Sequence, residues 1–280
     1  MFQHYILTRF NLRAKNWTTT KNNEKVLTEE WLEERFDLFE NFCLSSVKNQ
    51  NNQNFKWLVF FDINTPEVYK RKVEVYQNAY QNFIPCFIDG MENFLPEIKK
   101  NIKQMDAEDY IITSRLDNDD CIHEDYIQSV QDQFAKQEHE AIDIIDGYTL
   151  EMGDTNRLGR LMKLNNPFIS LIEKKGDFKT VWFRERHGSW KYEKNMTKIK
   201  NNRLWLSIIH SKNKVNEFSG YGNIDPAKLS EFHISEKKMN EILKDLEHVN
   251  SWQLTSAKNR VNFTFKRYFK ELKAGLGLYK

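Results

Sequence analysis

Over roughly the first 140 residues, short apolar runs alternate with amphipathic segments, and this alternation constrains the fold more than any other feature of the chain. Gln3 to Phe10, Phe55 to Phe61, Asn82 to Ile88 and Tyr110 to Leu116 read as strands. Between the first two, Trp31, Arg35, Phe36, Phe39, Phe42, Cys43 and Val47 recur at helical steps, behind the cap Thr28 and the acids Glu29 and Glu30. Asn64-Thr65-Pro66 opens a second helix, Leu95 to Met105 forms a third, and a fourth runs from about His123 to Lys136. Asn11 to Leu27 and Gln50 to Asn54 are polar connections. Strands alternating with helices build a parallel, doubly wound α/β sheet, and such a sheet takes its ligands outside the carboxyl ends of its strands. Asp62 and Asp117 both stand at that end.

After Ala141 the rhythm changes. Ile142 to Met152 and Leu158 to Leu164 read as strands around a Gly153-Asp154 turn, Asn166-Pro167 opens a helical piece, and Thr180 to Phe183 and Leu204 to Ile209 read as further strands. Gly220 to Pro226 is a loop, and a Lys-rich helical region follows it. No repeat or low-complexity linker divides the chain. The expectation is one domain with two functional halves, 1–140 and 141–235, and a basic helical extension over 236–280. Its 40% apolar and 29% charged residues suit a folded core, and a net charge of +2 calls for no nucleic-acid partner. The longest apolar runs, Trp57 to Phe61 and Leu204 to Ile209, fall far below the ~20 residues that cross a bilayer. No signal-peptide pattern opens the chain, and Cys43, Cys86 and Cys121 share no motif spacing, so reduced thiols and a cytoplasmic location are expected.

Asp117-Asn118-Asp119-Asp120 follows the apolar run Tyr110 to Leu116 and precedes a helical pattern. If the chain stays extended there, Asp117 and Asp119 fall on one side. Carboxylates so placed can hold a divalent cation that neutralises a diphosphate leaving group. Asp120 can hold a metal-bound water or sugar hydroxyls, and Arg115 can reach a phosphate or the sugar. A calcium loop fails, because its sixth and twelfth positions would be Ile122 and Gln128. A nucleotidyltransferase fails for want of a Gly-rich loop after the first strand, where Thr8-Arg9-Phe10-Asn11-Leu12-Arg13 stands. An aspartyl-phosphate phosphatase and a non-catalytic sugar-binding protein remain as alternatives to sugar transfer.

The segment Tyr110 to Ile127 resembles the Asp-x-Asp region of glycosyltransferases with the GT-A fold. His4 to Asn11, Trp31-Leu32 with Arg35 and Phe39-Glu40, Trp57 to Asp62, Asn166 to Glu173 and Trp205 to His210 resemble, more narrowly, a bacterial rhamnosyltransferase family. The resemblance covers roughly residues 1–215. It implies a GT-A-like mixed sheet, a nucleotide-diphospho-sugar donor, and a cell-envelope polysaccharide or lipid-linked acceptor. It implies further that Asp62 contacts the nucleobase and that Asp117, Asp119 and His210 hold Mn2+ or Mg2+. Arg9, Asp62, Arg115, Asp117 and Asp120 form the expected donor-binding set.

An inverting transferase needs a group to take the acceptor's proton. Glu185 and His187, in the arginine-flanked run Trp182 to Gly188, are the candidates. Asp119→Asn is expected to spare folding while removing metal-stimulated activity. From Lys258 to Lys280, seven lysines and arginines oppose Glu271 alone, with Phe263, Phe265, Tyr268, Phe269 and Leu272 interleaved. That composition predicts a basic amphipathic helix able to lie on an anionic membrane.

Overall fold

The computed structural model describes residues 1–15, 18–20, 25–105, 108–213 and 216–278, so part of the polar stretch 11–27 and Lys280 lie outside the described residues. Strand β1 (Phe2–Arg9) leads to helix α1 (Glu29–Leu38), which continues through a π-helical turn (Phe39–Leu44) into α2 (Ser45–Lys48). Next come β2 (Lys56–Asp62), α3 (Glu67–Ala79), β3 (Phe83–Ile88), α4 (Phe94–Met105) and β4 (Tyr110–Arg115). Thr28 caps α1 by accepting the Trp31 N–H, and Pro66 precedes the first residue of α3, as their sequence signals predict.

Beyond the acidic cluster lie β5 (Cys121–Ile122), α5 (Tyr126–Gln131), β6 (His139–Ile144), β7 (Asp146–Glu151), β8 (Arg157–Met162) and β9 (Ser170–Lys174). The chain continues through β10 (Met196–Ile199), β11 (Trp205–Ile209), α6 (Glu236–Lys244) and α7 (Gln253–Gly275). Seven strands form one sheet in the order β10-β6-β9-β4-β1-β2-β3. Strands β3, β2, β1 and β4 run parallel, and β9 enters antiparallel to both β4 and β6. This is a GT-A-like mixed sheet. A second sheet has the order β5-β11-β7-β8.

Alternation along the parallel strands buries both faces. On one, Phe36 and Phe39 of the first helical segment pack with Trp57, Val59 and Phe61. On the other, Leu58 and Phe60 pack with Phe94, Ile98 and Ile102 of α4 and with Trp182 and Trp190. Leu150, Leu206 and Ile208 of the second sheet meet Leu229, Phe232 and Ile242. Cys43, Cys86 and Cys121 are buried free thiols.

Several expectations need correction. The run 142–152 is two strands rather than one, because the chain leaves the large sheet after Ile144 and joins the small one at Asp146. Asn166-Pro167 opens no helix. Instead Asn166 turns its amide onto Asp143, Ile144 and Lys163, and the chain proceeds directly into β9. Val181–Phe183 is a 3-10 turn rather than a strand. The helix expected over 123–136 is confined to Tyr126–Gln131, since Cys121 and Ile122 pair with β11. Gly147 shows why the small sheet closes tightly: a Cβ there would lie 2.1 Å from the Trp205 ring, which stacks on Phe168 at 4.8 Å. No helix among the described residues is long and apolar enough to cross a membrane.

Candidate active site

The turn Asp117–Asp120 leaves the carboxyl end of β4 and is fixed by its own side chains. Asn118 donates to the Phe10 carbonyl just beyond β1 (2.9 Å), and Asp120 accepts the Ile208 N–H of β11 (2.9 Å). One acid thus ties the turn to the small sheet, and the asparagine ties it to the large one. Desolvation, with Asp119 and Asp117 close by, pushes the Asp120 carboxyl well above the usual range.

Asp119 behaves in the opposite way. Burial opposes its ionisation, but Arg35 and His210 outweigh it and hold the carboxyl well below the usual range. Asp119 Oδ2 receives Arg35 Nη1 at 2.7 Å and faces His210 Nε2 at 3.0 Å, with Asn213 Nδ2 at 3.4 Å. Arg35 also donates to Asn118 Oδ1 at 3.1 Å. The cluster therefore does not leave its charges bare: Arg35 compensates Asp119, and burial beside the other two acids disfavours charge on Asp120. Asp119→Asn would leave a buried guanidinium without its counter-charge, so this geometry predicts some loss of stability where the sequence reading expected folding to be spared.

Asp117 is the most open of the three acids, with its side chain 28% exposed, and Arg115 Nη2 reaches its oxygens at 3.3 and 3.4 Å. The Arg115 guanidinium lies 4.0 Å over the Trp182 ring and donates to the Glu185 carbonyl at 3.2 Å, and Arg9 lies 5.2 Å over the same ring. Arg115 Nε is buried with no acceptor among the described residues. Water reaches Arg9, yet the surrounding walls desolvate it and lower its pKa, while Asp117 raises it.

The segment carrying Glu185 and His187 is thereby brought to the acidic turn. Glu185 is exposed and acts electrostatically on Arg9. His187 has its pKa lowered to about 4, first by desolvation and then by Lys163 and Arg115, so its imidazole is neutral at pH 7. Asp62 lies elsewhere on the sheet's carboxyl edge, where Arg13 grips it from its backbone N–H (3.1 Å) and its Nε (2.9 Å). It makes no hydrogen bond to the acidic turn among the described residues. Asp119 and His210 are in contact, Asp117 adjoins Arg115, and no group of three His, Cys, Asp or Glu side chains among the described residues is arranged to hold a metal ion.

Arg35, Asn213, Lys163 and Trp182 are site residues to which the sequence reading gave no role. Arg35 had a usable signal, because it occupies the buried stripe of α1, and a charge there demands a buried partner.

A parallel block β3-β2-β1-β4 that delivers an acidic turn at its carboxyl edge is the framework of a glycosyltransferase with a GT-A-like fold. Residues 3–220 match the family described as "Putative rhamnosyl transferase", and the chain belongs to that family. No curated protein sequence matches it. Among solved structures it is similar to S. aureus TarS 1–349, at 9% identity and a TM-score of 0.42 over 74% of this chain and 60% of that one. A longer S. aureus TarS structure gives 10% identity and 0.45, over 74% of this chain and 37% of that one. TarS 1–349 in complex with UDP-GlcNAc gives 11% and 0.42, over 86% and 70%. The chain thus spans 60% of the first of these structures and 37% of the second.

Proposed function

We propose that this protein transfers a sugar from a nucleotide-diphospho-sugar donor to a cell-envelope saccharide or lipid-linked acceptor, with inversion at the transferred carbon. The carrying observation is the convergence of Asp117, Asp119 and His210 with Arg9 and Arg115, the last two stacked on Trp182, at one edge of the sheet. Breaking the donor's glycosidic bond puts growing negative charge on the diphosphate. Two guanidiniums lie over one indole face, Arg115 buried and Arg9 exposed, where they can meet that charge. The orphan Arg115 Nε–H is a further donor of the required kind.

Asp119 and His210, with Asp117, are the side chains that would hold Mn2+ or Mg2+. The fit rests on the donor set. Asp119 Oδ1 takes no hydrogen bond among the described residues, and an oxygen-plus-imidazole pair suits manganese. Such a cation would neutralise the leaving diphosphate. Asp62 is assigned to the nucleobase, and Asp120 to keeping the turn in register with β11. Glu185 and His187 are the proton acceptors offered to the acceptor hydroxyl. The neutral His187 ring can accept, and the cations around it disfavour keeping the proton.

Calorimetric titration with UDP, GDP, dTDP and CMP, with manganese and with chelator, is the direct test. One nucleoside diphosphate is expected to bind more tightly with manganese, and Asp119→Asn is expected to erase that gain. Transfer by Glu185→Gln or His187→Ala is expected to fall by about 10²–10⁴-fold while nucleotide affinity is kept. Nucleotide binding indifferent to manganese would remove the metal from this reading, and full transfer by both variants would remove both bases.

A membrane-facing role is favoured by a separate observation. Val261, Phe265, Tyr268, Phe269 and Leu272 of α7 are 48–69% exposed, along a helix that also carries Lys258, Arg260, Lys266, Lys270 and Lys273. Apolar side chains flanked by cations are what an anionic bilayer surface takes up. The full chain is expected to sediment with anionic vesicles and Phe265→Glu/Leu272→Glu to stay in solution; a full chain that ignores such vesicles ends this part of the reading.

A further inference from the structure

Helix α7 is inverted relative to an ordinary surface helix. Its apolar stripe faces outward, and Phe263, Lys266, Arg267 and Lys270, at helical steps of three and four, line a cavity of about 240 Å³. Lys163 and the edge of the buried Trp205 also belong to the lining. That volume lies below the ~300–1,000 Å³ of sites that hold drug-sized ligands, so it suits a single sugar or phosphate rather than a whole nucleotide-sugar. The cavity adjoins the acidic turn, because Ser207 both lines it and hydrogen-bonds Asp120.

The charge in this cavity is unbalanced. Arg267 has Glu271 at 3.3 Å, but Lys163, Lys266 and Lys270 have no carboxylate partner among the described residues. Glu217 is the one acid in the lining among the described residues, and it pairs with none of them. Desolvation lowers the pKa of Lys163 and of Lys270, and neighbouring cations lower each further: Lys270 and Arg115 act on Lys163, and Lys266 and Lys191 act on Lys270, while Asp120 and Asp143 pull the other way. Three ammonium groups crowded round a cavity repel one another, and a bound oxyanion would relieve that repulsion. Phe263, half-buried in the lining, supplies an apolar surface for the face of a sugar ring.

We propose that this cavity is the acceptor site and that it takes a saccharide bearing a phosphate, the phosphate on Lys163, Lys266 and Lys270 and the ring against Phe263. The inference rests on the transfer reading for the word acceptor, and on the lysines and the cavity for the phosphate. Ser207, in the lining and hydrogen-bonded to Asp120, sets the cavity next to the turn that receives the donor.

Glucose and glucose 1-phosphate are the probes, titrated calorimetrically into the full chain and into Lys266→Gln/Lys270→Gln, with the nucleoside diphosphate panel run in parallel. Both lysines lie on an exposed helix, so the variant is expected to keep its circular dichroism spectrum and its nucleotide affinity. Glucose 1-phosphate is expected to bind at least tenfold more tightly than glucose, and that preference to vanish in the variant. Equal binding of the two probes, or a preference that survives loss of both lysines, overturns the phosphate site. A lysine-dependent preference in a protein that binds no nucleoside diphosphate keeps the phosphate site and fails the transfer reading instead.

Discussion

Helix α1 buries Trp31, Leu32, Phe36 and Leu38 and sends one guanidinium, Arg35, inward with them, whereas α7 leaves its large apolar side chains in solvent and turns its lysines towards a cavity. Arg35 meets Asp119 at 2.7 Å and Asn118 at 3.1 Å, so its desolvation is compensated within the fold. Lys266 and Lys270 meet no carboxylate among the described residues. The first cation is a structural part that shapes the acidic turn. The second set has no fixed counter-charge, and on the acceptor reading proposed above it gains a partner only when an anion arrives. A positive charge facing inward thus has two meanings, and the presence of a fixed counter-charge separates them.

The largest expected effect breaks the α1 side of that contrast. Arg35→Met removes the buried partner of Asp119 and is expected to cost about 3–5 kcal/mol in urea denaturation. Adding Asp119→Asn should return part of the loss, with a coupling above about 1 kcal/mol in the double-mutant cycle. A coupling near zero would show that the two charges are adjacent without depending on each other.

His4 supplies an intermediate case, a buried ring with no carboxylate. Its Nε2 lies 2.8 Å from Ser114 Oγ and its Nδ1 3.3 Å from the Gln131 amide, and burial lowers its pKa to about 3. The unfolded chain therefore takes up this proton first as the pH falls. Stability is complete above pH ~6.5 and declines towards pH 3, with a slope approaching ~1.4 kcal/mol per pH unit for one proton. His187 adds to the decline in the same direction, over a window from ~6.5 to about 4. His4→Gln should flatten the decline measured by denaturant midpoints between pH 6.5 and 4; an unchanged slope would assign it to other groups.

The smallest effect belongs to α7. Lys266→Ala and Lys270→Ala are each expected to leave stability within about 0.5 kcal/mol of the parent. A loss above 1 kcal/mol for either would make it a structural cation like Arg35 and dissolve the contrast.

What could be read in advance follows from the range of the forces involved. The strands β1 to β4 and their helices were legible because each carries its own period of apolar residues, and the acidic turn because it sits where such a strand must end. His210 was legible for the same reason, one residue past β11. The split between β6 and β7 was not, because Ile142 to Met152 is continuously strand-like and only tertiary pairing decides which sheet each half joins. Asn166-Pro167 carried a helix-start signal that the buried Asp143 redirected. The role of Arg35 needed one question that periodicity alone prompts, namely why a charge stands on a buried stripe. The cavity under α7 had no local signal at all, since Lys163, Trp205 and Lys270 come together only after two sheets and a terminal helix have assembled.

The inversion of α7 also bears on how such a protein changes over time. Residues that tune a ligand's charge are usually embedded in packing, so altering them endangers the fold. Here Lys266 and Lys270 are tips on a solvent-facing helix, beyond residues 3–220 that define the family. On the acceptor reading proposed above, exchange of either is expected to leave folding nearly unchanged while it retunes which phosphosaccharide binds. If that reading holds, a change of acceptor can be made on the last helix without disturbing the sheet.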